Sequence, residues 1–291
     1  MRIGVVFPQT EISADPGAIK DYAQTAEGLG FSHISTYDHV IGANPASRAP
    51  GRRWPYTFES TFHEPLILFG YLAGVTTAIE FATSIIILPQ RQTVLAAKQA
   101  AAIDVLSRGR LRLGVGLGWN EVEYEALGEN FHTRGRRVED QIALMRELWT
   151  KPLVTYRSEF LNVNDAGIAP LPVQQPIPVW MGATVDAAIR RAAKVADGWF
   201  PMVPAAKAQE TCDMVRGYVR DAGRDPAAFG LEARLEVAQE TPDTWAGTAD
   251  IWRAAGATHL SVNTMRAGLQ TPSDHILTLR RVAEALGVRP S

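Results

Sequence analysis

The side chains that could do chemistry are few. Six histidines are spread over 291 residues, Cys212 is the single cysteine, and no serine sits in a G-x-S-x-G elbow, so a nucleophilic hydrolase has no starting point. His63-Glu64 begins like a zinc-protease helix, but Ile67 stands where the second histidine belongs. His132, His259 and His275 fall at no metal-ligand spacing, so no metal site is expected. Asp38-His39 is different. It is the one carboxylate–imidazole pair at the end of an expected strand, where the histidine can exchange a proton near neutral pH and the acid can stabilise its charged form. The same residues also read as a turn whose histidine is satisfied by backbone.

Two glycine-containing segments follow expected strands. Gly114-Val115-Gly116-Leu117-Gly118 lacks the G-x-G-x-x-G spacing of a nucleotide fingerprint, and Trp119-Asn120-Glu121 opens no apolar helix; these glycines are expected to let a flat ligand approach the backbone. Gly182-Ala183-Thr184 precedes a helix starting near Val185, whose first N–H groups suit a phosphate. Alternatively, Thr184 is simply its N-cap and Asp186 its first-turn charge. Arg190, Arg191 and Lys194 read mainly as the solvated face of that helix.

These candidates need a frame that gathers strand ends. Short apolar runs at 2–7, 33–37, 81–87, 111–115, 178–181, 198–201, 231–237 and 259–262 alternate with helical patterns at 16–29, 64–76, 94–106, 136–149, 185–195, 206–221, 244–254 and 274–286. Eight such units predict an α/β fold, a (β/α)8 TIM barrel spanning 1–291 as one domain, with insertions after strands two and four. An open dinucleotide-binding sheet would carry glycines after its first strand, where this chain has Pro8-Gln9-Thr10. Segment 40–61 reads as a lid loop or a plain surface excursion, and proline-rich 151–176 as an aperiodic excursion outside the barrel unit. In such a barrel the chemistry sits at the C-terminal strand ends. Here those ends carry amides, aromatics, glycines and Asp38-His39, an inventory that suits a planar polar ring.

Composition removes other classes. Twenty-nine basic against 31 acidic residues, net −2, give no positive footprint for nucleic acid or anionic membrane. Every apolar run is shorter than the roughly 18 residues a membrane span needs, and Met1–Pro8 has neither a signal-peptide core nor a cleavage site. With a lone cysteine as well, a cytoplasmic protein acting on a small-molecule substrate is expected.

An ordered series of motifs goes further: Tyr37-Asp38-His39, Ala82-Thr83-Ser84-Ile85 with Leu88-Pro89-Gln90-Arg91, Ala97-Lys98-Gln99-Ala100, Asp104 to Arg110, Leu113 to Trp119, Phe131 to Arg137, Leu148-Trp149, Gly182-Ala183-Thr184 and Ala196 to Trp199. Covering nearly the whole chain, this series resembles the luciferase-like monooxygenase superfamily, specifically its coenzyme F420-dependent oxidoreductase branch. The resemblance implies a cofactor, F420 or alternatively FMN, with its ring in the barrel mouth against a bulged third strand at Thr83, Ser84 and Ile85. It implies a cis peptide at Ser84-Ile85, contacts from Gly118 and Trp119, and a phosphate held by the backbone of Met181, Gly182 and Ala183. Asp38 would touch the cofactor, and His39 would donate or accept the substrate proton. Sugar-phosphate dehydrogenases of the superfamily carry an acid where this chain has Trp119, so a less polar substrate is expected, unless Trp119 only packs the loop.

On this reading the enzyme moves a hydride between F420 and a small organic molecule. Backbone N–H groups near Ser84-Ile85 would stabilise negative charge. Arg48, Arg52, Arg53, Trp54 and Tyr56 would belong to a lid meeting the cofactor's acidic tail. The alternatives are an FMN-dependent monooxygenase on the same scaffold, or a flavin-binding barrel without turnover. The family also makes a homodimer a partner to consider.

Overall fold

The computed structural model describes residues 1–12, 14–48, 51 and 54–290. Their strands are β1 (Arg2–Val6), β2 (His33–Thr36), β3 (Glu80–Thr83), β4 (Ile86–Ile87), β5 (Leu111–Gly116), β6 (Val154–Arg157), β7 (Asn162–Ala166), β8 (Val179–Gly182), β9 (Gly198–Phe200), β10 (Gly230–Glu236) and β11 (His259–Asn263). The α-helices are α1 (Pro16–Leu29), α2 (Pro65–Val75), α3 (Thr93–Ser107), α4 (Glu121–Ala126), α5 (Arg134–Thr150), α6 (Asp186–Val195), α7 (Ala208–Asp221), α8 (Trp245–Ala254) and α9 (Pro272–Leu286).

Nine strands form one parallel sheet in the order β3-β2-β1-β11-β10-β9-β8-β5-β4, and an additional β3–β5 pairing closes it. The structure is thus a (β/α)8 barrel in which β3 and β4 are two halves of one barrel strand. Phe81 and Ala82 pair with Leu111 and Arg112, whereas Ile86 and Ile87 pair with Val115 and Gly116. Between the halves lies a cis peptide, Ser84-Ile85. The helices form where their ends are capped. Asp15 accepts from the N–H groups of Gly17 and Ala18 and Pro16 opens α1, while Thr271 and Asp274 make a reciprocal capping box on α9. Between sheet and helices lies a close-packed apolar shell that includes the fully buried Trp149, Trp199 and Trp252.

The helix after Trp119 is short and acidic rather than apolar: α4 starts with Asn120 Oδ1 accepting from Val122 N–H at 3.2 Å. One expectation is corrected. Segment 151–176 is not aperiodic: β6 and β7 pair antiparallel as a separate two-stranded sheet.

The bore of the barrel is polar below the mouth. Glu232 on β10 takes Arg112 Nη1 at 2.6 Å, lies 3.1 Å from His33 Nε2, and accepts from the Ser261 hydroxyl. Burial pushes this carboxyl up, but Arg112 and His33 outweigh burial and hold it well below the usual carboxylate range.

Candidate functional site

At the C-terminal ends of the strands a cavity of about 600 Å³ opens, lined by Tyr37, Asp38 and His39 after β2, Ser84 and Ile85 at the strand break, Gly116 to Trp119 after β5, and Gly182 to Val185 after β8. Arg234 on β10, Phe131 just before α5 and Arg134 at its first position complete much of its wall. Its size lies in the ordinary range for small-molecule sites, about 300–1,000 Å³.

Asp38 does not serve His39. Its carboxylate is buried, with Oδ2 accepting from Ile87 N–H and Oδ1 from Arg91 Nη2, both at 2.9 Å. Burial raises its pKa above the ordinary value, with Arg91 and the Ile87 N–H opposing. Arg91 reaches Glu64 with its other nitrogen at 2.8 Å, and Glu64 in turn accepts from Ile67 N–H at the start of α2. Gln141 on α5 donates to the carbonyls of Leu88 and Arg91, fixing that segment. The network fastens β4 to the end of β2, so Asp38 shapes the cavity wall.

The partner of His39 is Glu123, 84 residues away on α4. His39 Nδ1 lies 2.8 Å from Glu123 Oε1, and Gln90 Nε2 donates to Oε2 at 3.2 Å. The Glu123 side chain is fully buried, so its carboxylate lies in a low-dielectric setting with the imidazole against it. Around His39 stand Tyr56 and Phe62, each with ring centroid at 4.9 Å, and Trp119 at 5.9 Å. Such an arrangement can hold a proton on an oriented imidazole inside an aromatic enclosure.

The glycines do another job than expected. A Cβ at Gly116 would come 2.5 Å from Ile85 Cδ1, and one at Gly182 would come 2.9 Å from Ile85 Cγ2. What approaches these backbones closely is the protein's own strand break, which leaves a smooth wall beside the cavity.

The other site candidates separate. Ser84, Ile85, Gly118, Trp119, Gly182 and Ala183 line the cavity together with Asp38 and His39. Thr83 does not: it is buried, and its hydroxyl donates to the Gly114 carbonyl at 2.6 Å. Met181 does not either, because it is a buried residue of β8 paired with Val115 and Trp199. The Ser84 N–H is spent on the Thr36 carbonyl at 2.7 Å and cannot meet a developing charge. Thr184 is not an N-cap; Val185 occupies that position with no side-chain cap, and Asp186 turns to Arg190 at 2.8 Å and to the Tyr218 hydroxyl. Arg48 is exposed, and Arg52 and Arg53 lie outside the described residues. Trp54 meets Trp119 with centroids 6.0 Å apart, and Arg266 Nη2 donates to the Pro55 carbonyl at 3.4 Å.

Sequence reasoning missed Glu123, Arg134 and Arg234. Arg234 had a signal: Glu232, Arg234 and Glu236 alternate along an otherwise apolar strand, placing three charges on its inner face. Among the described residues, no group of three or more His, Cys, Asp or Glu could hold a metal ion, and no helix is long and apolar enough to cross a membrane.

The sequence model of luciferase-like monooxygenases matches residues 1–285. The chain belongs to the luciferase-like monooxygenase family. Within it, a Mycobacterium tuberculosis protein described as uncharacterized is 36% identical over 186 residues, 61% of this chain; the match spans 62% of that relative's length. An F420-dependent hydroxymycolic acid dehydrogenase from the same species is 25% identical across 98% of this chain and 77% of its own length. An FMNH2-dependent dimethylsulfone monooxygenase from Pseudomonas fluorescens is 30% identical across 68% of this chain and 51% of its own. The fold matches a crystal structure of a monooxygenase from Streptomyces bottropensis with a TM-score of 0.81 at 18% identity, covering 98% of each chain. These relatives include one named as F420-dependent and one named as FMNH2-dependent.

Proposed function

We propose that the chain is an F420-dependent oxidoreductase that exchanges a hydride between the deazaflavin and a small, weakly polar organic substrate, with His39 as proton donor or acceptor. One observation carries the reading. His39, on the wall of a cavity large enough for a ring and a substrate, is held by a fully buried carboxylate. With Nδ1 committed to Glu123, the ring nitrogen left to give or take a proton is Nε2.

The cavity fits such a ring. Ile85, seated in the room left by Gly116 and Gly182, gives one wall an apolar surface, Trp119 and Phe131 offer flat faces, and Arg134 and the uncapped start of α6 suit a phosphate. Bound there, the deazaflavin supplies two-electron hydride chemistry, and the protein's part is positioning and electrostatics. His39 holds the substrate proton; Glu123 keeps its imidazole oriented and stabilises its positive charge. Tyr56, Phe62 and Trp119 exclude water around it. Loop 40–61, whose Trp54 and Tyr56 meet Trp119 and His39, acts as the lid. The aromatic enclosure supports a substrate less polar than a sugar phosphate.

The resemblance to the FMNH2-dependent dimethylsulfone monooxygenase favours a second reading, with FMN in the same place. Titrating the cofactor-free protein with each compound separates them. Saturable F420 binding supports the first reading, and tight FMN binding without F420 binding replaces it with the second.

A further inference from the structure

We propose that Arg234 and Ser84 form a charged donor pair in the cavity that holds a reduced, anionic flavin or deazaflavin ring more tightly than the oxidised ring. The inference rests on the reading that the cavity takes such a ring. It begins with the charges on the wall. Asp38 is neutralised by Arg91, and the partner of His39 is Glu123, which leaves Arg134 and Arg234 as the cationic side chains on the wall. Arg134 is engaged near Phe131, donating to its carbonyl at 2.6 Å. Arg234 projects from the barrel strand itself, and its side chain is only 14% exposed.

The guanidinium is fixed. Nη2 donates to Ser84 Oγ at 3.1 Å, and the group lies over the Tyr37 ring, 5.1 Å from its centroid. Glu236 is 3.9 Å from Nε and is itself engaged by Asn263 Nδ2 at 2.7 Å. Glu232, the other acid on this strand face, is held by Arg112 and His33. Against burial, Glu236 and Glu232 hold Arg234 in its charged form, and of the three only Arg234 lines the cavity, where low dielectric strengthens its interactions.

Ser84 completes the pair. Its N–H is spent on Thr36, so the donor it can offer is its hydroxyl. Because Oγ accepts from Arg234, the hydroxyl proton is available to donate to a ligand. A cation with a neighbouring O–H donor matches a delocalised anion. Adding two electrons and one proton to the neutral flavin ring leaves one negative charge on its pyrimidine side; for F420, whose ring hydroxyl ionises near neutrality, the same holds at a pH that keeps that hydroxyl protonated. A site of this type discriminates between redox states of one ligand, since shape changes little on reduction and charge changes by a full unit.

The test measures dissociation constants of FMN and F420, each oxidised and chemically reduced under anaerobic conditions and at a pH that keeps the F420 ring hydroxyl protonated, for the wild type, Arg234→Lys and Arg234→Met. For the ring that binds, the wild type is expected to prefer the reduced form at least tenfold, which raises the bound couple's midpoint potential by ~30 mV per tenfold. Arg234→Met is expected to bring the ratio within about twofold of unity, and Arg234→Lys to keep most of the preference. Equal wild-type affinity for the two redox states overturns this inference while leaving the proposed function standing, and that measurement decides whether or not the Met variant folds. An unchanged ratio in Arg234→Met also overturns it. A wild type that binds neither ring overturns both.

Discussion

Glu123→Gln removes one negative charge from beside His39 and little else. The volume is conserved, and the new amide oxygen can still accept from His39 Nδ1. The amide nitrogen also finds a partner, because Gln90 Oε1 is a buried acceptor without one and can turn toward it. What is lost is the charge assistance of a 2.8 Å contact in a buried setting. Hydrogen bonds to charged groups contribute about 1.5–3 kcal/mol, so losing that assistance at the imidazolium stage slows turnover by about ten- to a hundredfold. The assay is oxidation of reduced F420 by a small, weakly polar organic acceptor that the wild type turns over, followed by absorbance, with F420 affinity and melting temperature measured on the same samples. His39→Ala is expected to slow the reaction by about a hundredfold or more while changing F420 affinity by less than about tenfold. Because Glu123 acts through His39, the double variant should be no slower than His39→Ala alone. Turnover of Glu123→Gln within threefold of wild type, or losses that multiply in the double variant, would refute the coupling.

Two further outcomes follow from the geometry. Gly182→Leu should weaken cofactor binding by at least tenfold, because even a Cβ would crowd Ile85 Cγ2 and the rest of the side chain must enter the cavity; an unchanged dissociation constant would remove Gly182 from the cofactor site. His275 is buried, and burial lowers its pKa from 6.5 to about 4, with nearby Asp274 opposing. The unfolded chain then binds more protons than the folded one between these values. Stability from keeping this ring neutral is fully present above pH 6.5 and is lost as pH falls toward 4. Melting temperature measured from pH 7 to 4 should decline, less steeply in His275→Gln; parallel curves would show that another group controls the slope.

Local pattern carried the barrel and half of its site. Eight strands read as apolar runs because parallel strands are covered on both sides, and Asp38-His39 was visible because both residues follow a strand. The partner of His39 was hidden by scale. Helix α4 has six residues and no apolar period, and its legible marks are Asn120 as cap and the acids Glu121 and Glu123 in its first turn. No local rule ties position 123 to position 39. The Asp38–Arg91–Glu64 chain is equally nonlocal, so a neighbouring acid was assigned to the imidazole when its true contacts lay 49 and 53 residues downstream. Thr83 and Met181 were misplaced for a simpler reason: a motif gives the neighbourhood of a strand end, but inward or outward direction changes with every residue.

Ile85 fills the space vacated by glycine on two neighbouring strands, at positions 116 and 182. Evolutionary or laboratory diversification of the mouth is therefore constrained in threes. A library that enlarges either glycine alone should push Ile85 out of place and disturb the cavity wall, whereas one that shortens position 85 in the same clone opens a route to remodelled walls.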